Sequence, residues 1–289
     1  MIAGVAAYGL WGLLPLFFRL LHHVDPTEIV TQRVIWSLLL IVAILAARNA
    51  LRPFFIVLLD RKLVLRLALS AALIAINWLT YVWAVNKDHV VAASLGYFLN
   101  PMVNVTLGVI VLKEKLRHRQ VAAIAVAAVG VAILAASALT TLWISLTLAF
   151  SFAFYGLVRK LTPVAPMTGL GVETALLTPP AIAYLFWEAA HGGIGFGQDV
   201  ATSSLLVLAG AVTTVPLVLF AVAAQRLPMS TLGLLQYLAP TLQFLCGVLL
   251  LGETLGTGQM VSFGLIWLGL IFFAGDGIAV ARRKRMARA

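Results

Sequence analysis

The chain has 289 residues, of which 62% are hydrophobic and only 10% charged, with a formal net charge of +10. Soluble domains carry about 25% charged residues, so a soluble fold is excluded and a polytopic membrane protein is expected. The basic excess does not point to nucleic acid, because the Lys and Arg residues sit in short clusters between apolar spans, as membrane topology requires.

A bilayer-spanning helix needs about 20 mainly apolar residues. Ten spans are expected, over 2–21, 28–47, 65–85, 90–112, 119–137, 140–158, 166–187, 203–224, 229–251 and 258–280. Between the second and third, Phe54 to Leu59 is apolar but too short to cross, and is bounded by Arg52-Pro53 and Asp60-Arg61-Lys62. It reads either as a short helix in the headgroup layer or as a loop packed under the bundle. Segment 188–202, with Gly192-Gly193, reads as an exposed polar loop.

Ten spans put both termini on one side. Of the 20 Lys and Arg residues, Arg33 lies within a span and Arg19 and Lys87 face the far side. All others fall on the side of the termini, among them Arg159 and Lys160 after the sixth span and the tail cluster from Arg282 to Arg285. The positive-inside rule makes that side cytoplasmic.

The text LGYFLNPMVNVTLGVIVLKEKLRHRQ (95–120) returns without a gap as LLQYLAPTLQFLCGVLLLGETLGTGQ (234–259), at a constant offset of 139. Pro101 meets Pro240, Gly108 meets Gly247, Glu114 meets Glu253 and Gln120 meets Gln259. Apolar composition alone does not align Pro, Gly, Glu and Gln at one offset. The chain therefore divides into repeats over 1–137 and 138–289, the second ending in a basic cytoplasmic tail. Five helices per repeat is an odd number, so the second copy enters the membrane inverted. Inverted repeats are the architecture of many secondary transporters, with substrate near the midplane between the halves. The expected fold is all-α and integral to the membrane, with ten transmembrane helices as two inverted five-helix repeats.

The runs NWLTYVWAVNKDHVVAASLGYFLNPMVNVTLGVIVLKEKL (77–116) and LQYLAPTLQFLCGVLLLGE (235–253), with the opening YGLWGLLPLFFRLL (8–21), resemble the RarD branch of the drug/metabolite transporter superfamily, the EamA-type permeases. The resemblance spans nearly the whole chain. It implies two EamA repeats, a central cavity lined by the first four helices of each, and a peripheral fifth helix. It also implies transport, and export rather than import, without naming a substrate. Members carry a short charged lead before the first helix, which this sequence lacks.

Helix periodicity aligns Tyr97, Pro101, Asn104 and Gly108 on the fourth span, and Gln236, Pro240, Gln243 and Gly247 on the ninth. In lipid such polar faces must meet protein or a wet cavity. Tyr97 and Gln236, with the adjacent Tyr237, are expected to line a substrate cavity whose prolines loosen the backbone nearby. Asn104 and Gln243 are expected to bond across helices, with glycines for close packing. Asn100 either bonds a carbonyl freed by Pro101 or faces substrate. Asn77, Trp78 and Tyr81 on the third span form a candidate pocket wall, or ordinary bundle packing in the case of Trp78.

Arg33 and Glu173 are the deepest charges, each costing about 2.5–3.5 kcal/mol to insert, so a partner or a function is expected. Glu173 is a candidate proton site. Arg33 would attract anionic groups or hold an outer gate closed. In the bland alternative both are satisfied by polar neighbours and only fix packing. Glu28, Glu188 and Asp276 sit near span ends and are expected to be solvated. Glu114 and Glu253 read as structural or gating residues.

His22-His23 and Asp25 lack a second ligand set at metal spacing, and no Gly-rich phosphate loop follows a strand, so neither a metal nor a nucleotide cofactor is expected. The fifth and tenth spans carry small residues and suit a scaffold or homodimer face. The expected function is a secondary transporter of the inner membrane, taking a small organic metabolite or drug by alternating access, with proton coupling through Glu173. The rivals are a membrane-embedded enzyme, which would need paired catalytic groups at one membrane face, and a non-transporting scaffold or sensor.

Overall fold

A computed structural model describes residues 1–86, 90–136, 142–245 and parts of 260–275. The described chain folds as helices α1 (Ile2–Arg19), α2 (Pro26–Ala47), α3 (Leu51–Leu59), α4 (Arg61–Asn86), α5 (Val90–Ile110), α6 (His118–Ala136), α7 (Leu142–Leu161), α8 (Pro166–His191), α9 (Val200–Arg226), α10 (Met229–Gln236) and α11 (Leu238–Leu245). Among them α2, α4, α7, α8 and α9 are long and apolar enough to cross a membrane, and α1, α5 and α6 contribute shorter apolar stretches.

Helix starts follow from local sequence. Asp25 caps α2 by accepting from Thr27 N at 2.7 Å, with Pro26 in the first turn. Asp199 caps α9 by accepting from Thr202 N at 2.7 Å. Short polar side chains there satisfy amides that have no partner in the helix. The ninth span is broken into α10 and α11 around Tyr237. The cause is Pro240, which has no N–H to offer the Gln236 carbonyl four residues back and whose ring crowds it. The equivalent Pro101 lies within a continuous α5.

Segment 51–59 is a helix rather than a loop. Phe54 and Val57 are buried, Phe54 against Gly171 of α8, while Phe55, Ile56 and Leu59 stay exposed. One apolar side is thus free to lie in the headgroup layer.

The two halves do not form separate cores. The extensive packings α2 on α9, α4 on α7, α5 on α7 and α10, and α1 on α9 and α11 all join a helix of the first half to one of the second. Close approach needs glycine at several of these crossings, Gly210 and Gly233 among them. A Cβ on Gly210 would lie 2.5 Å from Trp36 Cβ, and one on Gly233 would lie 2.8 Å from the Pro101 carbonyl. Small residues are how helices approach closely where no hydrophobic effect drives association.

Contacts between helix ends define two faces. Glu114 beyond α5 reaches Met229 at the start of α10, and Lys160 near the end of α7 donates to the Leu227 carbonyl after α9. These ends share what is here termed the basic face. On the opposite face, His23 bonds Thr202 at 2.9 Å and the Glu28 carboxylate accepts from Gly195 N and Phe196 N. Glu28, expected to be solvated, is only 2% exposed. It fastens the 192–199 loop onto α2, and the two backbone amides replace water as its partners.

Candidate functional site

A cavity of about 180 Å³ lies between the halves. The first half supplies Tyr8, Trp11, Leu14 and Phe18 from α1, Arg33 from α2, Asn77, Trp78 and Tyr81 from α4, and Tyr97 and Asn100 from α5. The second half supplies Phe152 from α7, Leu217 from α9, and Gln236, Ala239 and Pro240 at the α10–α11 break. Seven of the eight inner spans therefore reach it. The exception is α8, whose Glu173 turns elsewhere. A water molecule's share of liquid volume is about 30 Å³, so the space suits a small organic solute rather than the larger occupants of typical ~300–1,000 Å³ drug sites.

The polar wall is organised by partners across helices. Asn77 donates through Nδ2 to the Leu148 carbonyl at 2.9 Å and to Ser151 Oγ at 3.0 Å, both on α7. Asn104 donates to the Gln236 side chain, tying α5 to α10 just behind the cavity. Its partner across the helices is Gln236, itself expected to line the cavity. Asn100 is 3% exposed and its Oδ1 has no hydrogen-bond partner. Tyr81 and Tyr97 face each other with ring centroids 5.7 Å apart.

Arg33 enters from the opposite face and points inward. Its Nε donates to Thr213 Oγ1 of α9 at 2.6 Å, and its guanidinium lies 5.2 Å from the Phe18 ring centroid and 5.0 Å from that of Trp78. Such contacts offset part of the cost of taking a cation out of water.

Toward the basic face the cavity has an aromatic floor. Phe220 contacts Tyr8, Trp11 and Phe152, with centroids 6.2, 5.7 and 5.1 Å away, and stacks on Tyr155 at 5.7 Å. Beneath it, Glu173 of α8 pairs with Arg159 of α7 at 3.5 Å and accepts from Ser70 of α4. Arg159 is fully buried, not the loop charge expected from its place in the sequence. It is held in the last turn of α7 because Nη2 donates to the Pro166 carbonyl at 2.9 Å and the guanidinium lies over Gly169, where a Cβ would overlap it. Sequence reading missed it because helix-end arginines are normally solvated. Glu114 closes the same face by accepting from Met229 N at 2.6 Å, Ser230 N at 3.1 Å and Ser230 Oγ at 2.8 Å.

The cavity thus brings together Arg33, Asn77, Trp78, Tyr81, Tyr97, Asn100, Gln236 and Pro240. Tyr237 is not in its wall: it is buried at the break between α10 and α11, with its hydroxyl unpartnered. Pro101 and Gly108 are packing positions, Gly108 against Glu114 and Met229. The Gln243 side chain, Gly247, Glu253 and Asp276 lie outside the described residues. Sequence reasoning did not single out Tyr8, Trp11, Phe18 and Phe152. The aromatic opening of α1 carried a signal for the first three, whereas nothing local marks Phe152 or Thr213.

The pattern of the EamA-like transporter family matches residues 1–136 and again 139–275. The chain belongs to that family. Among EamA-type relatives, Protein RarD of Salmonella typhi is 45% identical, with the match covering 98% of this chain and 97% of the relative. The Uncharacterized transporter YojE of Bacillus subtilis is 38% identical, over 99% of this chain and 96% of its own. The Chloramphenicol-sensitive protein RarD of Pseudomonas aeruginosa is 28% identical, over 98% and 96%. A solved crystal structure with 18% identity superposes with a TM-score of 0.73 over 98% of this chain and 97% of its own, a likeness of fold. This is a multi-pass membrane transporter of the EamA type.

Proposed function

We propose that this chain is a secondary active transporter of the inner membrane that exports a small organic metabolite or drug by alternating access. The halves 1–137 and 138–289 are the two moving repeats, and both termini are cytoplasmic. The observation that carries this reading is the cavity walled by both halves and floored by aromatic rings toward the basic face. If the basic face is cytoplasmic, this is a state closed to the cell interior. Opening that end must separate the first half from the second, so the Glu114 cap on α10 and the bond from Ser70 of α4 to Glu173 of α8 are among the contacts that break. Glu173 is assigned to coupling or gating, with proton release or uptake changing the strength of its hold on Ser70 of the other half.

Exchange of radiolabelled solutes by purified protein in liposomes tests the reading, with chloramphenicol as one drug probe. Tyr97→Ala and Gln236→Ala are expected to change solute affinity while the protein inserts and melts as the wild type does. If both variants lose stability but transport each solute with unchanged affinity, the assigned wall is packing and not a binding site.

A further inference from the structure

Among the described residues, Arg159 is fully buried and Arg33 is half-buried at the cavity, and the two are treated differently. Arg159 has a carboxylate, Glu173, within 3.5 Å. Arg33 has none: among the described residues its one hydrogen bond is from Nε to Thr213, and no acidic side chain pairs with it. Among the described residues its two terminal nitrogens meet no hydrogen-bond acceptor, and they face a cavity otherwise lined mostly by aromatic and aliphatic groups. A guanidinium presents a planar fork that matches a carboxylate through two parallel hydrogen bonds. Here the fork is held in place beforehand, by Thr213 behind it and by the Phe18 and Trp78 rings on which it rests. A charge kept in a low-dielectric space without a counterion favours whatever supplies one.

We propose that the cavity binds an organic monoanion, its carboxylate on Arg33 and a flat apolar body against Trp11, Trp78 and Phe152. This rests on the reading of the cavity as the transport site and names the class of solute it takes. The same field disfavours cations: an ammonium group would meet Arg33 at close range with no acidic side chain to hold it. Neutral solutes of the same shape keep the ring contacts and lose the fork.

Phenylacetate, phenylacetamide and phenethylamine share one ring and carry negative, zero and positive charge. Binding of each to the full-length protein in detergent, by calorimetry and by the shift in melting temperature, is the test. Phenylacetate is expected to bind roughly tenfold to a hundredfold more tightly than the amide, the scale of a charged hydrogen-bonded contact, and the amine more weakly still. Arg33→Gln should reduce phenylacetate to the level of the amide and leave the amide unchanged. Arg33→Lys, which keeps the charge and loses the fork, should fall between. Thr213→Val, which frees Nε, should weaken phenylacetate alone, and with Arg33→Lys it carries the test if Arg33→Gln does not fold. Amide or amine binding as tightly as phenylacetate, or an unchanged phenylacetate affinity in the Arg33 variants, overturns the proposal. The outcome is separable from that of the transport reading. Arg33-dependent binding without movement across liposomes would sink transport and spare the anion site, whereas exchange of cations or neutral solutes alone would do the reverse.

Discussion

Glu173 and Arg159 carry the sharpest residue-scale consequence. Both side chains are essentially out of solvent, at 1% and 0% exposure, and each keeps unpartnered polar atoms: Glu173 Oε2, and Arg159 Nε and Nη1 as regards hydrogen bonds. Removing one partner of a buried pair leaves an uncompensated charge and costs about 3–5 kcal/mol, whereas replacing both groups by uncharged ones is often nearly neutral. Glu173→Gln is therefore expected to lower stability in denaturant melts by that amount, and Glu173→Gln/Arg159→Met to restore most of it. The double variant also separates coupling from packing. If Glu173 carries the proton, the restored protein should exchange solute at equal pH but fail to accumulate it from a pH gradient. Full gradient-driven accumulation by that variant would remove Glu173 from the coupling step.

At the scale of elements, the decisive contact is the Glu114 carboxylate at the start of α10. Three first-turn donors of a helix only 8 residues long converge on it, two backbone amides and one hydroxyl. An anion at a helix N-terminus also meets the positive end of the helix dipole, and such capping is worth about 1–2 kcal/mol. Since the cap joins α5 of one half to α10 of the other, its loss should favour separation of the halves at the basic face. Glu114→Ala is expected to raise the open population there by roughly five- to thirtyfold. Alkylation of a cysteine placed at Leu217, in a Cys246→Ala background, reads this out as faster labelling from the basic side. Equal labelling rates with and without Glu114 would confine it to a static structural role. The break after Gln236 complements the cap, because a short α10 can move with its own N-terminus while α11 stays against α1.

The whole-molecule prediction is topology. From the basic clusters and the odd number of spans per repeat, residues 188–202 are expected outside and the tail inside. Single cysteines at Gly193 and Arg285, again without Cys246, should label from opposite sides of intact cells. Labelling of both from outside would refute the ten-span arrangement. The halves pack onto each other more than onto themselves, so either repeat expressed alone would expose the broad faces that α2 presents to α9 and α5 to α10.

Membrane class, span number and the inverted duplication were legible in the sequence, because hydropathy, loop charge and helical periodicity are local or regular signals; around the cavity the polar residues stood out, whereas Tyr8, Trp11, Phe18 and Phe152 did not. Asn77, Tyr81, Tyr97 and Gln236 stood out since a polar group in lipid must have a reason, and all four lie around one cavity. Which polar group meets which was decided only by tertiary structure. Nothing in the chain says that Asn104 reaches Gln236, that Arg159 folds inward onto Glu173 over Gly169, that Glu28 holds a loop 167 residues away, or that Arg33 meets no acid among the described residues. Those pairings depend on how far helices from opposite halves slide and rotate against each other, and that is set by the packing of many side chains at once rather than by any stretch of sequence.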